Sequence, residues 1–217
     1  MARSTSAARY SVGEEIAHTI THGLGALLSI VGLVFLVQFS SRYGNAWHIV
    51  SCSIYGATLI LCYTASTLYH GVPIPRLKPL LQQIDHATIF LLIAGTYTPF
   101  ALVCLRDSLG LPLLALVWAV ALYGVKRELS KKERKSSVFM YLGLGWLAVF
   151  AIKPLFDRLE TGGVVLLLVG GLFYTVGVLF YVRKRMPYHH AIWHLFVLAG
   201  SIFQFFSIFL YVVPDGA

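Results

Sequence analysis

The chain has 217 residues, 58% of them hydrophobic and 12% charged, with a formal net charge of +8. Soluble domains carry roughly 25% charged residues, so a mean hydropathy of +0.76 excludes a water-soluble globular protein and places the chain in a membrane. The basic excess is scattered over short segments, which argues against a nucleic-acid surface and for attraction to anionic lipid head groups.

A membrane-crossing helix needs about 20 mostly apolar residues. Seven stretches qualify: 16–39, 47–69, 84–105, 109–126, 138–156, 162–182 and 190–213. The first follows Arg3 and Arg9 but also Glu14 and Glu15, and it is too long for a signal-peptide core. It reads as a retained helix and carries His18 and His22. After the second, Pro73, Pro75 and Pro79 forbid a continuous helix through 70–83. The third opens with Asp85 and His86, and Pro99 is expected to kink it. The fourth is the shortest, with Gly110 and Pro112 at its start, and KRELSKKERKSS (126–137) reads as a polar loop. Gly143, Gly145, Gly170 and Gly171 in the next two stretches are expected to permit close helix packing. The last opens with HAIWH.

None of these runs alternates as a membrane β-strand does. The fold class is therefore all-α: a seven-transmembrane-helix bundle. It is one membrane domain over residues 1–217, with 1–15 a short terminal segment and no inverted repeat. Cys52, Cys62 and Cys104 form no C-x-x-C pair and read as packing residues.

Lysines and arginines set the orientation. Thirteen flank the stretches on one side, including Arg76, Lys78, Arg127 and Arg183. Four lie on the other: Arg42, Arg106, Lys153 and Arg158. The amino terminus is accordingly expected in the cytoplasm and the carboxyl terminus outside.

That topology gathers chemistry at one face. Ser66 and His70 end the second helix, Asp85 begins the third, and His190 and His194 begin the seventh. His18 and His22 enter there too, so seven of the eight histidines share one side, and only His48 lies opposite. His190 and His194 are four residues apart, hence on one helix face, as are Ser66 and His70. Each pair alone also fits packing or interfacial histidine. Their convergence in hydrocarbon, where ionisable groups are costly, points to a site. Histidines from two helices with a nearby carboxylate can enclose a divalent ion, and neutral imidazoles suit zinc. Such an ion gives water a pKa of about 7 and hence a nucleophile. The residues between the two histidines are Ala191, Ile192 and Trp193, so no H-E-x-x-H glutamate is present and Asp85 is the candidate base. His18 and His22, a second pair at this spacing, compete for ligation.

The runs EEIAHTITHGLGALL, STLYH (66–70), IDHATIFLLIAGTYTPF (84–100) and HAIWHLFVLAG (190–200) resemble the haemolysin III proteins. Those are the bacterial branch of the progestin and adipoQ receptor family. The resemblance covers nearly the whole chain and implies seven helices with a cytoplasmic amino terminus. It also implies zinc held by His70, His190 and His194, with Asp85 acting on water and Ser66 supporting an oxyanion. His18 and His22 are then left in a supporting role.

The expected function is that of a zinc-dependent intramembrane hydrolase of a lipid amide or ester, in the bacterial inner membrane. The alternatives are a non-enzymatic receptor or sensor with structural zinc, and the cytolysin that the family name implies. Partners are expected to be membrane lipids and a lipid-like substrate or ligand. Oligomeric state is not legible.

Overall fold

A serine sets where the first helix begins. In the computed structural model, which describes residues 10–130 and 137–213, the Ser11 hydroxyl accepts the Glu14 N–H at 3.3 Å and Glu14 Oε2 accepts the Ser11 N–H at 2.8 Å. This reciprocal cap satisfies two otherwise orphaned donors, so α1 (Val12–Tyr43) starts four residues before the hydropathy alone implies. Arg3 and Arg9, and Lys131, Lys132, Arg134 and Lys135 of the polar loop, lie outside the described residues.

Six more helices are long and apolar enough to cross a membrane: α2 (Ala46–Gly71), α3 (Lys78–Cys104), α4 (Gly110–Leu129), α5 (Val138–Arg158), α6 (Thr161–Val182) and α7 (His189–Val212). No strand occurs among the described residues. The seven-helix, all-α architecture expected from the sequence is the one observed. Helix α3 begins six residues earlier than expected because Pro79 sits in its first turn, where a missing N–H goes unnoticed. Pro99 does not end α3; the helix widens into a π turn over Phe100–Cys104. In α5 the α-helix tightens to a 3₁₀ turn over Leu147–Ala151. Pro154 lies three residues beyond Ala151, and its ring would clash with the Phe150 carbonyl in a regular helix.

Helix α1 shows how the bundle is assembled. Its buried stripe is His18, His22, Gly25, Ser29, Gly32, Leu36 and Ser40, whereas Leu24, Leu27, Val31 and Phe35 remain exposed, as suits contact with lipid. Small residues on the inner stripe let helices approach. A Cβ on Gly25 would lie 2.6 Å from the Tyr63 ring of α2, and one on Gly32 would lie 2.9 Å from Phe205 of α7. Helix α1 thus packs on both α2 and α7. The starts of α1 and α7 are also tied directly, since Glu14 Oε1 accepts the Tyr188 N–H at 3.0 Å.

The glycines expected to mediate packing divide. Gly170 does so, with Gln204 Cγ 2.7 Å and the Gly200 carbonyl 2.9 Å from its would-be Cβ. Gly143, Gly145 and Gly171 have nothing within 4 Å of that position, which corrects the expectation for those three. Gly145 and Gly171 instead border an internal cavity. The three cysteines are buried and form no disulfide.

Candidate metal centre

Three histidines from two helices meet at one end of the bundle. The last turn of α2 presents His70, and the first turns of α7 present His190 and His194, all of them buried. One ring nitrogen from each lies within 4.8 Å of the others. Ring centroids are 5.2 Å apart for His70–His190, 5.1 Å for His70–His194 and 4.6 Å for His190–His194. Two histidines of α1 complete the cluster. His18 stands 4.5 Å from His70, and His22 stacks on His194 at 3.6 Å with planes 10° apart. Tyr10 closes the outer side, stacked on His190 at 5.2 Å.

The donor set fits a metal ion. His70 Nε2 and His190 Nδ1 are buried without a hydrogen-bond partner, as are His18 Nε2 and both nitrogens of His22. A buried polar atom left unpaired is destabilising by about 1–3 kcal/mol and calls for an explanation. An ion drawing on the lone pairs of His70, His190 and His194 provides one for the nitrogens of His70 and His190, and three imidazoles leave a fourth position for water or substrate. A second group, Glu15, His18 and His70, also has ligating atoms within 4.8 Å of one another.

Hydrogen bonds from α1 and from Lys78 at the start of α3 brace the cluster from outside. Glu15 Oε2 lies 2.6 Å from His70 Nδ1, and Glu15 Oε1 accepts from Lys78 Nζ at 3.3 Å. Lys78 also donates to the carbonyls of Tyr69 at 2.6 Å and His70 at 3.1 Å, pinning the end of α2. Thr21 Oγ1 is 3.3 Å from His194 Nδ1. Sequence reasoning passed over Glu15, Thr21 and Lys78. The one available signal was the E-x-x-H spacing of Glu15 and His18, which puts a carboxylate on the histidine face of α1.

Asp85 and Ser66 stand on the inner side, where both line the cavity with His22, His190 and His194. The Ser66 hydroxyl is near Asp85 but makes no hydrogen bond of good geometry, so it is available to a ligand. The cavity runs past Leu92, Trp193 and Val197 to Tyr174 and Gln204. The remaining histidines differ. His189 Nδ1 is spent on the Phe180 carbonyl at 3.1 Å. His86 reaches the cavity wall, with Nδ1 3.8 Å from Glu128 Oε2. His48, at the far end, caps α2 by accepting the Asn45 N–H at 3.2 Å.

Comparison with known proteins agrees with this architecture. The family model for haemolysin-III related proteins matches residues 10–205. The chain is 48% identical to a hemolysin-3 homolog of Bacillus subtilis over 206 residues, covering 94% of this chain and 97% of that one. Identity to the hemolysin-3 of Bacillus cereus is 46% over 208 residues, 95% of each chain. The human monocyte to macrophage differentiation factor is 27% identical over 207 residues, 92% of this chain and 84% of its own. With seven spanning helices and bacterial relatives along nearly its whole length, the chain is a multi-pass integral protein of the bacterial plasma membrane and belongs to the haemolysin III family.

Proposed function

We propose that the protein is a zinc-dependent intramembrane hydrolase of a lipid amide or ester, serving membrane lipid homeostasis. The observation that carries this reading is the meeting of the histidine cluster, Asp85 and Ser66 at one end of a long apolar cavity. A structural ion needs no such cavity; a lipid substrate does.

His70, His190 and His194 would hold zinc, which when bound polarises a carbonyl and provides a nucleophile at neutral pH. The wall formed by Leu92, Trp193 and Val197 takes the acyl chain and leaves its carbonyl at the histidine end. Asp85 accepts a proton from the attacking water and returns it to the departing amine or alcohol. The Ser66 hydroxyl donates to the oxygen on which negative charge develops. The products are a fatty acid and the amine or alcohol. On the orientation given by the lysine and arginine count, this end opens to the cytoplasm.

Purified full-length protein in lipid nanodiscs, given ceramides, acyl amides and acyl esters, should release fatty acid from one of these classes. If zinc-loaded protein cleaves none of them, the hydrolase reading falls. The clamping of α1, α2 and α7 by five histidines then favours a receptor or sensor with structural zinc. Lysis of erythrocytes by the purified chain would instead favour a cytolysin.

A further inference from the structure

We propose that helix α1 supplies the outer shell of the metal centre, with Glu15 as the positioning residue for His70 and Thr21 as that for His194. The inference rests on the metal-centre reading above and adds residues that none of its ligand or catalytic roles include.

A carboxylate only accepts hydrogen bonds, so at 2.6 Å the hydrogen shared by Glu15 Oε2 and His70 must sit on Nδ1. Nε2 is then the atom with the lone pair, and it is the nitrogen of His70 that is buried and unpartnered. Lys78 Nζ at 3.3 Å from Glu15 Oε1 keeps that carboxylate charged and in place. The same logic holds at His194. The Thr21 hydroxyl hydrogen is committed to the Ala17 carbonyl at 2.8 Å, so toward His194 Nδ1 at 3.3 Å its oxygen accepts. Both rings are thus held as Nδ1–H tautomers, leaving Nε2 to ligate. A hydrogen bond from Nδ1–H to a carboxylate also makes Nε2 a stronger donor to a metal.

Glu15 is better explained this way than as a ligand to a second ion with His18 and His70. An ion between Glu15 and His70 would sit about 2 Å from each of them. The observed 2.6 Å separation is that of a direct hydrogen bond. The Lys78 ammonium beside the same carboxylate also opposes a cation there.

Full-length protein in detergent, titrated with zinc against a competing chelator, tests the proposal. The wild type should bind one zinc. Glu15→Ala should weaken binding by about 10–100-fold with stoichiometry at saturation still one. Glu15→Gln, nearly isosteric and still able to accept the Nδ1–H, should lose less, and Thr21→Val should lose least. Nitrogen-15 spectra of the zinc-free protein should show His70 as the Nδ1–H tautomer, and a mixture in Glu15→Ala. Unchanged zinc affinity in Glu15→Ala and Glu15→Gln overturns the proposal while leaving the metal centre standing. So does a wild type with two zinc ions, one of which is lost in Glu15→Gln. A wild type that binds no zinc overturns the metal centre and this inference together.

Discussion

Histidine sits at both ends of this bundle, and the two ends use it in opposite ways. At the far end His48 is buried, and its Nδ1 accepts the Asn45 N–H at the start of α2. It finishes a helix. At the other end five imidazoles from α1, α2 and α7 crowd together, with several buried nitrogens unpaired and a cavity opening beside them. Nothing in the needs of a helix terminus requires that arrangement. Burial of a histidine therefore says little in a membrane protein; how many imidazoles meet, and whether a cavity opens beside them, says much more.

The sharpest test of that contrast is removal at each end. His190→Ala/His194→Ala should take zinc from one per chain to background, measured by elemental analysis of purified protein. His48→Ala should keep all of it. Full zinc retention in the double variant would sink the proposed ligand set. Next in size is a change at the inner side of the cluster. Asp85→Asn should lower lipid cleavage by about 10²–10⁴-fold while zinc content stays at the wild-type level. A loss of zinc along with activity would make Asp85 part of the metal's holding structure instead of the proton carrier.

How much of this was legible in the sequence depends on how local the cause is. Seven apolar runs of about the length of a bilayer crossing announce themselves, and their ends shift by only a few residues where Ser11 caps α1 or Pro79 starts α3. The spacings of His190 with His194 and of Ser66 with His70 are local as well, so a shared helix face could be read directly. Glu15 could not be placed that way. Its partner His70 lies 55 residues away, and the contact exists only because α1 and α2 pack closely through Gly25 and Gly56. Glycine was misread for the same reason. The letter is identical at 170 and 171, but one faces Gln204 and the other faces empty space.

That empty space can be probed by filling it. Gly171 borders the cavity midway along α6 with no atom within 4 Å of a would-be Cβ. Gly171→Phe should therefore be accommodated by the fold while blocking the acyl path. Cleavage of long-chain lipids should fall on the order of tenfold or more, and short chains should suffer less. Zinc content should not change. Equal turnover of all chain lengths in Gly171→Phe would show that the cavity is not where the chain lies.

The smallest effect belongs to the far end, and its smallness is informative. His48→Ala removes the side chain that accepts the Asn45 N–H, but Asn45 Oδ1 still accepts the Trp47 N–H at 2.9 Å, so half of the cap survives. Capping devices of this kind contribute about 0.3–1.5 kcal/mol each. Thermal unfolding in detergent should shift by a few degrees at most, with zinc content and lipid cleavage unaltered. A variant that kept its melting temperature but lost zinc would break the contrast between the ends. It would mean that the far histidine reaches the metal centre through the length of α2, from His48 to His70. The His48 Nδ1 contact is confined to the first turn of α2, whereas His70 is fixed from outside that helix by Glu15 and Lys78.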